Sequence, residues 1–384
     1  MRLPPGVRDW LPQEYAFKRD VQERIRDVFR RWSYTEVLTP TFESYEALER
    51  GLGERLMQQT FRFSDPLGQS LALRTEMTTP IARVVSSRMR SASLPLRLSY
   101  VASAFRYEEP QLGRMREFTQ AGAELIGAAE AGADAEALFM AIETLDAVGL
   151  GDARFDINDS SIVDGVLTEL GLSGADLVRC KELLTERNLV ALRVYGEDVV
   201  RLSTLRGDRD AIERLRPLCT TPSSRAGLAR IESILALAQE LGYRERIKLD
   251  FALLRDLEYY TGFVFEGYID DLGFSLCGGG RYDSLLPRFG YDVVAVGWMV
   301  GVERILLALE RRREDERPRN EVDVLVSGSP VIGRRERAKG LRVRIDVRGL
   351  DREALLAYAR HKEIPRVIIA NGDRVEEIHL GEQR

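Results

Sequence analysis

A chain of 384 residues, 44% of them hydrophobic, is long enough for a large core and an accessory domain, and its length points to two or three compact units. The formal net charge of −5 is spread over interspersed acids and bases, so no overall attraction to nucleic acid is expected. The three cysteines, Cys180, Cys219 and Cys277, lie far apart without CxxC pairing, which excludes a disulfide framework and a zinc site; the two histidines, His361 and His379, sit too near the C-terminus to supply a base to the main domain.

The opening "MRLPPGVRDW" lacks an apolar signal core, and no run of roughly eighteen apolar residues follows, so a cytoplasmic location without membrane insertion is expected. Between Glu14 and Trp32, Phe17, Val21, Ile25, Val28, Phe29 and Trp32 recur three or four apart and predict an amphipathic helix. "YTEVLTPTFES" reads as a strand interrupted by Pro40, a residue that belongs at a sheet edge or bulge, and the strand is expected to border a subunit interface. In "RTEMTTP" at 74–80 a strand end turns into the helix "PIARVVSSRM", with Thr78 or Thr79 as its cap and Pro80 at its first position. "RLSYVASAFRYE" and "FTQAGAELIG" predict an antiparallel pair joined by a long charged loop. Residues 160–245 are rich in Leu, Ala, Arg and Glu at helical spacing and predict a helical insertion. β composition resumes in "LEYYTGFVFEGYI", "CGGGRYDSL" reads as a flexible turn, and "VAVGWMVGVERILLALERRR" as a strand or turn running into a helix.

The charged run 311–321 has linker character, which sets a core over 1–316 against a linker and second domain over 317–384. From Val322 on, "VDVLVSG", "LRVRIDVRG" and "PRVIIANG" predict short parallel strands, with "DREALLAYARHK" a helix between the last two. "SPVIGRRERAK", between the first two, has too few apolar residues to pack a crossover helix, so this domain is expected to be truncated.

In a strand, Gln120, Gly122 and Glu124 share one face. An amide and a carboxylate flanking a glycine make a polar floor, Gly122 leaves room for a ligand, and Glu76 is placed to add a second carboxylate, a set suited to an ammonium and a polar ring. The plainer alternative is a solvated outer sheet face. Arg106, Arg114 and Arg116, with Arg255, Arg281 and Arg304, supply guanidinium forks for carboxylate or phosphate oxygens. "GGGRYD" lacks the spacing and lysine of a phosphate loop, and "GLGERLM" lacks a third glycine, so no metal, flavin or nicotinamide cofactor is implied.

Taken in order, "PPGVRDWLPQE", "TPTFE", "FRYEEPQLGRMREFTQAGAELIG", "LLRDLEYYTGFVFE", "CGGGRYDSLLPRFG" and "AVGWMVGVERIL" resemble class II aminoacyl-tRNA synthetases of the histidyl type over the first 312 residues. The resemblance implies an α+β fold: a mostly antiparallel sheet flanked by helices, a helical insertion, a small truncated α/β C-terminal domain, and a self-dimer through the first helix and the Pro40 strand. It implies a histidine pocket of Glu76, Thr78, Gln120, Glu124, Arg255, Tyr259, Tyr260 and Tyr282. Arg106, Arg114 and Arg304 would mark a nucleotide site, vestigial if the chain is not an enzyme.

The chain departs from the synthetase pattern at Met77, where a glycine is usual, at Asp256 and Glu258 in "RDLEYY", and at Glu109, where a base is usual. "EMTTP" is similar to the pattern of the family's regulatory paralogues in ATP phosphoribosyltransferase. That likeness implies a non-catalytic subunit, free L-histidine as effector, a short-form catalytic partner in a hetero-octamer, no cofactor, and little use for tRNA. The alternative is an active histidyl-tRNA synthetase.

Overall fold

The computed structural model describes residues 2–109, 115–254, 260–312, 322–372 and 374–380. Arg114, Arg255, Asp256, Glu258, Tyr259 and most of the linker run lie outside the described residues.

The chain divides into two compact units. Helix α1 (Pro12–Arg31), which belongs to the larger from Lys18 on, buries Val21, Ile25, Val28 and Phe29, one face at the spacing expected, and Phe29 meets Trp298 edge to face at 5.8 Å between ring centroids. The run after it divides at Pro40. Strand β1 (Thr35–Glu36) joins the main sheet, while Phe42–Ser44 joins a three-stranded antiparallel sheet with Ser70–Leu73 and Arg62–Ser64. Helix α2 (Thr78–Arg88) follows, then β2 (Leu96–Phe105) and β3 (Glu117–Ile126), antiparallel from Leu96 opposite Ile126 to Phe105 opposite Glu117.

Helix α3 (Ala131–Ala147) leads to β4 (Arg154–Asp159). The stretch 160–245 is mainly helical, including α4 (Gly174–Thr185) and α5 (Pro222–Glu240), and also contributes the two-residue strand β5 (Arg206–Gly207) to the sheet edge. Strands β6 (Ile247–Asp250), β7 (Phe263–Tyr268), β8 (Cys277–Arg281) and β9 (Ala295–Gly301) and helix α6 (Val302–Arg311) complete the unit. The nine strands run in the order β1-β2-β3-β9-β8-β7-β4-β6-β5, and only β1 with β2 and β4 with β6 are parallel.

"CGGGRYD" is not a turn. Its first five residues are β8, buried along its length, because the neighbouring strand leaves no space for side chains there: a Cβ on Gly279 would lie 2.4 Å from both the Gly297 carbonyl oxygen and the Trp298 Cβ. The three cysteines are buried free thiols. Among the described residues no helix is long and apolar enough to cross a membrane.

The smaller unit contains β10 (Val324–Ser327), α7 (Pro330–Ala338), β11 (Val343–Ile345), α8 (Arg352–His361), β12 (Arg366–Asn371) and β13 (Arg374–His379). Its sheet runs β11-β10-β12-β13, parallel through the first three strands, with β13 antiparallel on β12. Here the expectation of a missing crossover helix is corrected, since α7 fills that place. The Ser329 hydroxyl caps it by accepting from the Ile332 amide (3.3 Å), and Ile332 packs with Val324, Val326 and Ile368. Gly333 lets the helix come close to Ile345, and the buried Glu336 carboxylate accepts from Lys339 (2.6 Å) and pairs with Arg366. A glycine contact and a paired carboxylate replace the apolar side chains that the helix lacks.

Candidate functional site

The strands that carry Tyr100, Gln120, Gly278, Gly297 and Glu266 line a cavity of about 790 Å³ in the larger unit, together with Glu76 and Thr78 at the start of α2 and Tyr260 and Tyr282 flanking β7 and β8. Period-2 alternation explains the split: these residues lie on one face of the sheet while the Trp298 side chain packs on α1 from the other. Glycines keep this face shallow. A Cβ on Gly297 would lie 1.7 Å from Glu124 Oε2, and one on Gly122 would lie 2.5 Å from the Tyr100 hydroxyl. Gly122 therefore makes room for the Tyr100 ring, not for a ligand as expected.

Glu76 is buried at 4% exposure, and its carboxylate accepts from the backbone amides of Thr78 (2.6 Å) and Thr79 (2.8 Å). The cap of α2 is thus Glu76 instead of a threonine hydroxyl, and Pro80 stands third in the helix, where its missing N–H is still harmless. Arg74 is buried too, donating to the carbonyls of Thr39 (2.6 Å) and Ser103 (2.7 Å). Met77 is fully buried and packs with Ile81, Tyr100 and Tyr282. It supports the residues that form the cavity wall and is not itself part of that wall.

Glu124 lies one layer behind the cavity, where the Thr78 (2.9 Å) and Tyr282 hydroxyls both donate to it. Burial raises the pKa of its carboxyl to about 8; the two hydroxyls oppose the shift and the nearby Glu76 charge adds to it. Gln120 is 1% exposed, and its Oε1 has no hydrogen-bond partner among the described residues. A solvated outer face is excluded for this strand, since both side chains are shielded from water.

Arg106 and Arg304 also line the cavity. The first donates to the Thr75 carbonyl (2.9 Å) and lies over Phe118; the second donates to the Ser275 carbonyl and lies over Phe274. Glu108 and Glu109 flank this end. Arg116 stacks on Tyr107 and donates to the Glu108 carbonyl (3.1 Å). Arg281 points elsewhere, into a buried pair with Asp134 (2.9 Å). Eight expected site residues are thus assembled, Glu76, Thr78, Gln120, Tyr260, Tyr282, Arg106 and Arg304 on the wall and Glu124 behind it, while Arg114, Arg255 and Tyr259 lie outside the described residues.

Sequence reasoning missed Tyr100, Glu266, Gln59 and Arg187 on the wall. Register gives a signal for Tyr100, which stands opposite Gly122, and alternation one for Glu266, whereas Gln59 and Arg187 have none. Among the described residues no cluster of three His, Cys, Asp or Glu side chains is placed to hold a metal ion.

Residues 6–305 match the family model described as histidyl-tRNA synthetase. A Moorella thermoacetica protein named ATP phosphoribosyltransferase regulatory subunit is 41% identical, over 89% of this chain and 90% of its own. A Methanocaldococcus jannaschii protein named histidine–tRNA ligase is 34% identical over 97% of this chain and 92% of its own. A crystal structure from Bacillus halodurans, titled ATP phosphoribosyltransferase regulatory subunit/histidyl-tRNA synthetase, superposes with a TM-score of 0.86 at 31% identity, covering 97% of this chain and 99% of that one.

Proposed function

This chain belongs to the histidyl-tRNA synthetase family, on the side of its ATP phosphoribosyltransferase regulatory subunits, and we propose that it senses free L-histidine for such an enzyme without catalysing a reaction itself. The observation that carries the ligand reading is the buried wall of acceptors. The Glu76 and Gln120 side chains line the same cavity, Gln120 Oε1 is buried without a hydrogen-bond partner among the described residues, and a buried acceptor left without a donor costs about 1–3 kcal/mol. An ammonium supplies such donors. Thr78, Tyr260 and Tyr282, backed by Glu124, would hold the imidazole, whose two nitrogens need one donor and one acceptor. Arg255 and Tyr259 complete the set by family resemblance.

At the nucleotide end Glu108 and Glu109 stand beside Arg106, and two carboxylates oppose a triphosphate by charge. This supports a vestigial site at Arg106, Arg114 and Arg304. The partner in this reading is a short-form ATP phosphoribosyltransferase chain, and the complex would join ATP to phosphoribosyl pyrophosphate at the first step of histidine biosynthesis. With both partners dimeric, a hetero-octamer of closed symmetry is the assembly this reading expects. One observation favours the second reading, an active histidyl-tRNA ligase: Arg106 and Arg304 both stand in the cavity.

Calorimetry and an aminoacylation assay separate the two readings. The expected result is binding of L-histidine without ATP and no charged tRNA. Robust charging of tRNA would overturn the regulatory reading in favour of the ligase.

A further inference from the structure

The floor of the cavity on β8 and β9 is their common face, formed by Gly278, Gly297, Met299 and Gly301. Glycine on this face makes way for side chains of the wall: besides Gly297 beside Glu124, a Cβ on Gly280 would lie 2.8 Å from the Tyr260 ring and one on Gly301 3.3 Å from Arg304 Cδ. Met299 alone puts a side chain on this floor. It is the one residue of β9 that is not buried, while β8 is buried throughout. The neighbouring Trp298 packs on α1 from the opposite face, so the exposed part of Met299 is turned to the cavity.

Register fixes its place. Met299 stands opposite Gly122 on one side and Gly278 on the other. On β3, Gly122 lies between Gln120 and Glu124, so the methionine rises one strand away, about 4.8 Å, from the midpoint between the ammonium end and the imidazole end of the proposed histidine pocket. A ligand whose ammonium is held by Glu76 and Gln120, and whose ring is held by Thr78, Tyr260 and Tyr282, has two of the three heavy substituents of its Cα fixed. The third, the carboxylate, is left over the row of Gly122, Met299 and Gly278.

Resting on the reading that this cavity takes free histidine, we propose that Met299 sets the pocket's specificity for the free amino acid. Its side chain fills the space into which an ester, an amide or a mixed anhydride at the ligand carboxyl would extend. The discrimination is by bulk placed against the wrong ligand and needs no added attraction for the right one. It also gives a reason, separate from the charges of Glu108 and Glu109, for histidine to be bound without being activated, because activation joins the carboxyl to a phosphate in that same space.

The test titrates the full chain by calorimetry with L-histidine and with L-histidine benzylamide, which keeps the imidazole and the ammonium but extends the carboxyl carbon by a benzylamino group. The wild-type protein should bind L-histidine far more tightly. Met299→Ala should raise benzylamide affinity about tenfold or more while L-histidine affinity stays within about threefold, the signature of a removed clash. Met299→Leu, of similar volume, should behave as the wild type. Calorimetry reads affinity separately from the fraction of competent protein, so partial loss of folded material does not mimic the effect. Benzylamide affinity that does not rise in Met299→Ala, or that rises equally in Met299→Leu, overturns the inference alone, as does wild-type protein that takes both ligands alike. Wild-type protein that binds neither ligand overturns the histidine reading and this inference with it.

Discussion

Glu124 keeps a carboxyl group where it is 1% exposed, and the hydroxyls of Thr78 and Tyr282 offset burial only in part, so its pKa rises from 4.5 to about 8. Between those values the folded chain holds a proton that the unfolded chain has released. Stability from this group is therefore greatest below about pH 4.5, falls as pH rises to about 8, and is level above. Glutamine in its place carries no such proton. In urea unfolding from pH 5 to 9, the stability of Glu124→Gln relative to wild type should climb up to about pH 8 and then flatten. A constant difference across the range would show that Glu124 titrates like a solvated glutamate. Met77 belongs to the same scale: it lies buried among Ile81, Tyr100 and Tyr282, so its departure from the family's glycine alters what stands behind the pocket wall.

The elements of the main sheet owe the cavity's shape to glycines in neighbouring strands. On β3, Gly122 lies beneath the Tyr100 ring and beside the Trp298 carbonyl oxygen, 2.3 Å from where a Cβ would be. That oxygen belongs to backbone fixed in the β3–β9 ladder and cannot swing aside. Gly122→Ala should therefore cost about 1–3 kcal/mol, the range for overpacking a core. It should also weaken histidine binding by displacing Tyr100. Chemical denaturation reads the first effect and calorimetry the second; a neutral substitution would mean that β3 and β9 separate more easily than the ladder implies. In the smaller unit α7 makes the complementary point, since it forms without a broad apolar face because Gly333 permits close approach and Glu336 finds partners in Lys339 and Arg366.

At the scale of the whole molecule, the proposed sensor acts only through a partner, and histidine would inhibit only if it bound two arrangements of the complex unequally. Couplings of about 1–3 kcal/mol, roughly 5- to 150-fold, are usual. Co-expressed with a short-form ATP phosphoribosyltransferase chain, this protein should elute with it in one complex by light scattering. Phosphoribosyl transfer should fall on adding histidine by a factor in that range; a catalytic chain that elutes alone and ignores this protein would refute the partnership. Much of this was legible in sequence. Periodicity marked the buried face of α1 and the pairing of β2 with β3, and the ordered motifs named the family, because such signals depend on neighbours a few residues apart. Tertiary structure decided that Glu76 caps α2, that three glycines form a buried strand, that Glu124 stands behind the cavity on Tyr282, 158 residues away, and that α7 exists. In each of these cases the deciding partner or the space available comes from a distant part of the chain, and local pattern carries no record of it.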